Sequence, residues 1–173
     1  ISNFTIVANA KAAEMSVKKT EFGKTPDGDS VTLYTLTNKN GTVLKMMDYG
    51  AIVVSFEVAD KNGHSANITL GFDKVDGYFG AHPYFGATVG RYGNRIAFGK
   101  FTLDDEQYTL ATNNDPNHLH GGVKGFDKQM WQVEESSTDA GLGLKFHRVS
   151  KDGEEGYPGN LDVTVHYILG NDD

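Results

Sequence analysis

From Glu21 onward, apolar and polar positions follow a strand-like rhythm almost without interruption. Val31 to Leu36 alternates and is rich in β-branched and aromatic residues, which predicts a strand with one buried face. Asn40-Gly41 predicts a tight hairpin turn into a second strand over Thr42 to Met47. Ala51 to Val58 (AIVVSFEV) predicts a mostly buried strand, Asn62-Gly63 another turn, and Ala66 to Leu70 a further strand. Phe101 to Leu103 and Gln107 to Leu110 are expected to pair across Asp104-Asp105-Glu106. Trp131 to Glu135, Leu142 to Arg148 and Leu161 to Leu169 complete the set. Only Asp73 to Phe79 and parts of the tail suit a helical turn. Turn signals recur roughly every eight to twelve residues, the spacing of an antiparallel β-sandwich or barrel.

Two stretches break the rhythm. Tyr78 to Arg95 (YFGAHPYFGATVGRYGNR) and Asn113 to Asp127 (NNDPNHLHGGVKGFD) are dense in Gly, His, Asn and aromatics. Both are too irregular for simple hairpins, and long irregular connections in a compact β domain tend to carry function.

Composition narrows the class. A chain of 173 residues is long enough for one domain with a core, and 21 glycines point to many turns with positive φ. The formal net charge of -7 and the lack of a dense Lys/Arg run argue against nucleic acid as partner. There are no cysteines, so disulfides and a cysteine nucleophile are excluded. No run of about 18 apolar residues suggests a transmembrane helix. Residues 1–20 read as an N-terminal extension and 21–173 as the domain. Within the extension, Phe4 to Ala8 and the Ala8-Asn9-Ala10 pattern fit either the tail of a secretory signal or a frayed end. Asn3-Phe4-Thr5, Asn40-Gly41-Thr42 and Asn67-Ile68-Thr69 match the glycosylation triplet, which matters only in a secreted eukaryotic protein.

The richest chemistry lies in Asn113 to Gly122. His118 and His120 point to the same side of an extended stretch. They suit a metal pair, a structural pair, or a polar ligand site to which the glycines give close access. The metal reading lacks a following Glu, since Gly121 to Gly125 contains none. Gly90 to Ile96 holds Arg91 and Arg95, four apart, able to fork onto a carboxylate, a phosphate or sugar oxygens, or to pair with surface acids. Glu154 and Glu155, within Gly153 to Asn160, suit proton carriers or a solvated turn. Tyr78, Phe79, Tyr84 and Phe85 suit stacking on a sugar ring or a place in the core.

These segments, taken in order, resemble the aldose 1-epimerase family. The likeness runs through TPDG at Thr25, DYGA at Asp48, TLGF at Thr69 and YFGATVGRYGNRIA at Tyr84. It continues through KFTLD at Lys100, YTLATNN at Tyr108, NHLHGGVKGFDKQMW at Asn117 and GEEGYPGNL at Gly153. The resemblance implies an all-β, antiparallel β-sandwich of the galactose-mutarotase-like supersandwich type, of which this chain is the amino-terminal part. It implies a free hexose such as galactose or glucose as small-molecule partner, no cofactor and no metal; apart from the resemblance, no membrane partner is expected, and the location expected is cytoplasmic, with an exported form as the rival. Asn94 and Arg95 match the family's substrate-contacting pair, and His120 matches the His beside the sugar ring oxygen, a catalytic and substrate-binding position.

The implied reaction is acid–base. A glutamate removes the proton of the anomeric hydroxyl, a second His protonates the ring oxygen, and the opened sugar recloses on its other face. No segment matches that donor His or that Glu. His166, Glu154 and Glu155 do not fit the motifs. The expectation is therefore that the chain is one piece of a longer protein and inactive alone, with the carboxyl-terminal half as its partner. A hexose-6-phosphate 1-epimerase and a non-catalytic sugar-binding or scaffolding protein are the alternative functions.

Overall fold

The structure is a computed structural model and describes residues 15–171. The expected extension over Ile1 to Ala13, with its Asn3 triplet, and the final Asp172-Asp173 lie outside the described residues. Five strands open the fold as an antiparallel meander: β1 (Ser16–Lys24), β2 (Ser30–Thr37), β3 (Val43–Met47), β4 (Ile52–Ala59) and β5 (Ser65–Asn67). The short pairs follow, β6 (Arg95–Ile96) with β9 (His118–Leu119) and β7 (Lys100–Leu103) with β8 (Glu106–Thr109). A three-stranded antiparallel sheet of β10 (Gln132–Thr138), β11 (Gly141–Ser150) and β12 (Leu161–Gly170) ends the described chain. The fold is all-β and antiparallel, as the alternation predicts.

The central strands β2 to β4 of the five-stranded sheet are covered on both faces, which explains why β4 is apolar nearly throughout. One face presents Tyr34, Leu36, Leu44 and Met46 to Leu144, Phe146 and Leu169 of the three-stranded sheet. The other presents Val31, Met47, Ile52 and Val54 to Val75 and Tyr78 of the 3-10 turn over Val75–Tyr78. β3 feeds both layers by alternation, and the register shift opposite Lys45/Met46 leaves Val54 as an extra residue in β4, so that Phe56 and Val54, two apart, face different layers.

Two elements differ from expectation. β1 starts at Ser16, ahead of Glu21, because its polar residues pair in register with β2 from Ser16 opposite Thr37. The strand expected over Ala66 to Leu70 stops at Asn67. The Asn67 carboxamide accepts the Thr69 N–H at 3.0 Å and turns the chain away, leaving Ile68 and Leu70 63% and 68% exposed. The hairpin between β7 and β8 turns through Asp104 and Asp105, both left-handed with φ of 50° and 63°.

The irregular segments are pinned at the sheet's end. Trp131 N–H bonds Asp48 O at 2.9 Å, Gly50 N–H bonds Gln129 O at 2.8 Å, and Phe126 N–H bonds Gly90 O at 3.2 Å. These bonds tie the segment around Asp127 to the Asp48-Tyr49-Gly50 turn and to the glycine ahead of Arg91.

Candidate functional site

Asn113 folds its loop from within. Its side-chain oxygen accepts the Leu119 N–H at 2.8 Å, and its amide donates to Leu119 O and Gly122 O, each at 2.9 Å. The chain then runs as β9 against β6, with Arg95 opposite Leu119 and Ile96 opposite His118. The segment carrying Asn94 and Arg95 and the one carrying His120 are thereby strand neighbours. Both bend sharply as they leave the pair, with Asn94 at φ 65° and His120 at φ 50°.

The bend produces a reciprocal bracket. His120 N–H donates to Asn94 O at 2.9 Å, and Asn94 N–H donates to His120 Nδ1 at 3.0 Å. A nitrogen that accepts an amide proton carries none of its own, so the neutral ring holds its proton on Nε2. Arg95 is set beside it: Nε donates to Asn114 Oδ1 at 2.8 Å and Nη1 to Asn94 Oδ1 at 3.0 Å. These contacts engage two of the guanidinium's five donors. Burial, and then the Arg95 charge, push His120 below the ordinary histidine range, while Asp127 opposes them. The site thus offers a neutral N–H donor and a fixed cation side by side.

Tyr84 completes it, its ring meeting His120 edge to face at a centroid distance of 4.5 Å. Tyr84 also lines a cavity of about 800 Å³ with Tyr49, Phe79, Asn113, Lys124 and Lys128. Arg95 borders a second hollow of about 540 Å³ with Arg91, Tyr92, Phe101 and Tyr157. The structure therefore brings Asn94, Arg95 and His120 into one hydrogen-bonded group; Arg95 lines the smaller of these hollows, while Asn94 and His120 line neither of the two.

The other sequence candidates turn out to be anchors. His118 is fully buried and shares no partner with His120, because the left-handed bend at His120 breaks the extended geometry that would align them. Its Nδ1 lies 2.7 Å from Ala111 O and its Nε2 2.7 Å from Tyr157 Oη. A carbonyl only accepts, so Nδ1 carries the proton and Nε2 receives the Tyr157 hydroxyl. Burial holds that phenol up at about 12. Arg91 is spent on the 150–158 segment, donating to Ser150 Oγ at 2.9 Å and to the carbonyls of Pro158, Ser150 and Lys151 at 2.8 to 3.0 Å.

Neither Glu154 nor Glu155 is a solvated turn residue. Glu154 takes both Arg148 nitrogens, at 2.9 and 2.8 Å; burial pushes its carboxyl up, but the bonds from Arg148 and Ser150 outweigh this and hold it below the usual range. Glu155 accepts the N–H groups of Val123 and Lys124 at 2.8 and 3.0 Å. Among the aromatics, Tyr78 is core and bonded to Phe72 N–H at 2.9 Å, Phe85 packs on Phe72, and Phe79 and Tyr84 face the large cavity. Sequence reasoning missed Asn113 and Asn114 as the organisers of the loop, although Asn is the residue whose side chain most readily imitates a backbone turn. It also missed His82, Asp127 and Lys128, which meet behind Tyr84. No group of three or more His, Asp and Glu side chains able to hold a metal ion occurs among the described residues. No described helix is long and apolar enough to cross a membrane.

Residues 32–173 match the family model described as aldose 1-epimerase. The chain is 46% identical over 155 residues to the galactose mutarotase of Bos taurus, covering 90% of this chain and 44% of that protein. It is 40% identical over 147 residues to the aldose 1-epimerase of Escherichia coli strain K12, covering 85% and 42%. Among solved structures, the galactose 1-epimerase of Lactobacillus acidophilus NCFM superposes with a TM-score of 0.78 at 26% identity, over 91% of this chain and 46% of that one. The GalM/aldose epimerase homologue from C. elegans gives 0.70 at 28% identity, over 89% and 42%. The chain thus spans a little under half the length of the relatives it matches. With the family model matching through both the GNRI and LHGG segments, and with relatives above 40% identity, the chain belongs to the aldose 1-epimerase family.

Proposed function

We propose that this chain supplies the sugar-holding part of an aldose 1-epimerase, which interconverts the anomers of a free hexose such as galactose or glucose. The observation that carries the reading is the Asn94–His120 bracket with Arg95 beside it. In this reading His120 donates through Nε2 toward the ring oxygen and Arg95 and Asn94 bind hydroxyl groups. The edge of the Tyr84 ring gives an apolar margin suited to the C–H face of a sugar. A neutral imidazole fits an uncharged ligand, since nothing then has to neutralise a buried charge. Metal-free acid–base chemistry needs a proton donor and a base at matched pKa. The family resemblance puts both in a carboxyl-terminal half, which is the partner proposed here.

A phosphorylated hexose is the weaker substrate, because Arg91, the nearest extra cation in sequence, has its donors engaged by the protein's own carbonyls. Polarimetry on freshly dissolved α-D-glucose tests the proposal. The longer protein containing this chain accelerates the approach to equilibrium rotation, and His120→Ala removes most of that acceleration. The chain of 173 residues alone leaves the spontaneous rate unchanged. An unaltered rate in the His120→Ala protein rejects the role given to His120, and a longer protein without any acceleration favours a purely sugar-binding function.

A further inference from the structure

Behind Tyr84 lies a buried charged cluster that the proposed reaction does not use. The Asp127 side chain is 0% exposed, that of His82 1% and that of Lys128 18%. Asp127 Oδ2 takes the Lys128 ammonium at 2.6 Å and lies 3.4 Å from His82 Nε2. The second contact is too poorly formed to count as a hydrogen bond, which leaves His82 Nε2 buried without a hydrogen-bond partner among the described residues, and the other carboxylate oxygen, Asp127 Oδ1, is likewise buried and unpartnered. His82 Nδ1 accepts the Tyr84 N–H at 3.0 Å, which leaves the ring proton on Nε2, facing the carboxylate. Lys128 Nζ in turn sits over the Tyr84 ring, 5.3 Å from its centroid. The contacts form a circuit that begins and ends on Tyr84: main-chain amide, His82, Asp127, Lys128, ring face.

Stability is a poor explanation for this arrangement. A buried ion pair is often no better for stability than an apolar group of the same size, because desolvation cancels its attraction. Tyr84 itself sits at φ 60°, a conformation that a non-glycine residue keeps only where its surroundings impose it. The circuit imposes it at two points, and what the held ring touches is His120.

We infer that His82, Asp127 and Lys128 are positioning residues that fix the Tyr84 ring against His120 and so set the direction in which His120 presents its Nε2 proton. The functional part of this inference rests on the sugar-holding role proposed for His120. Its structural part does not.

NMR of the histidine rings in this chain tests it. In the parent chain the His120 ring protons carry a displacement from the Tyr84 ring current. Asp127→Asn, which removes the charge holding Lys128, is expected to abolish most of that displacement while the Trp131 indole N–H, bonded to Phe126 O at 3.2 Å, keeps its resonance. Tyr84→Leu is expected to abolish it as well, Tyr84→Phe to preserve it, and Asp127→Asn to add nothing in the Tyr84→Leu background. Unchanged His120 resonances in Asp127→Asn overturn the inference. So does an Asp127→Asn effect that persists in full without the Tyr84 ring, since that would be a direct field on His120. If Asp127→Asn fails to fold, Lys128→Met gives the same comparison from a partly exposed position. Titration with galactose separates the two claims. His120 resonances that ignore the sugar in the longer protein containing this chain reject the sugar-holding role, a response weakened at least threefold by Asp127→Asn supports both claims, and a response that Asp127→Asn leaves unchanged overturns the functional part of the inference.

Discussion

Tyr157 donates its hydroxyl proton to His118 inside packing that reaches 0% exposure at the imidazole. Tyr157→Phe removes that donor without changing shape, leaving a buried nitrogen unsatisfied. The expected loss is about 1–3 kcal/mol of stability, read as a lower urea midpoint. His120→Ala, at a half-buried position, is expected to cost less stability and to abolish sugar response. The depressed histidines also set a pH dependence. Burial lowers His82 from 6.5 against the pull of Asp127, and lowers His120 with the help of Arg95. Above pH 6.5 both are neutral folded or unfolded and contribute nothing. Below it the unfolded chain takes up protons that the folded chain refuses, so stability falls with acidification until the folded pKa is passed. Urea midpoints measured between about pH 7.5 and pH 5.5 should therefore decline, and His82→Gln should flatten the slope. At this scale sequence is least informative. Two histidines separated by one residue look alike until the φ of 50° at His120 sends them to different neighbours.

Short strands carry no periodicity, which is why the pair that organises the site escapes a reading by alternation. β6 and β9 hold two residues each and lie inside the segments set aside as irregular. The longer hairpins were legible, since Asn40-Gly41 and Asp104-Asp105 are turn-forming residues between alternating flanks. The site's elements depend instead on close backbone approach. Gly121, at φ 87°, packs so tightly on the Gly90 carbonyl that a Cβ cannot be accommodated. Gly121→Ala is expected to destabilise the chain by on the order of 3 kcal/mol and to displace the Asn94–His120 bracket, seen as loss of both amide resonances from their parent positions. Arg91→Lys tests the neighbouring clamp. Lysine cannot reproduce a fork that engages three carbonyls and a hydroxyl, and a loss of about 2 kcal/mol is expected by denaturant titration.

Viewed whole, the molecule is organised by one sheet whose central strands are covered on both faces, and fold class was legible because that burial writes itself into β2, β3 and β4. What alternation leaves unspecified is how loops far apart in sequence close over the sheet's end, because Asn113, Arg91 and Glu155 act through hydrogen bonds to backbone groups at long range. Surfaces remain where apolar groups meet solvent: Ile168 on the outer sheet is 44% exposed, on a strand whose second edge has no partner among the described residues. Ile168→Lys is expected to lower self-association in sedimentation velocity at high protein concentration, through charge on an open edge strand.

Glu155 grips the amides of Val123 and Lys124, Arg91 grips the carbonyl of Pro158, and Tyr157 meets His118, so the segment after Ala140 is clasped to residues 91–124 at several points. A nick at the exposed Asp139-Ala140 turn should consequently be silent. The two pieces would migrate as one band on a native gel, part only in detergent, and reassemble when mixed, giving a split form of the protein whose halves report on each other.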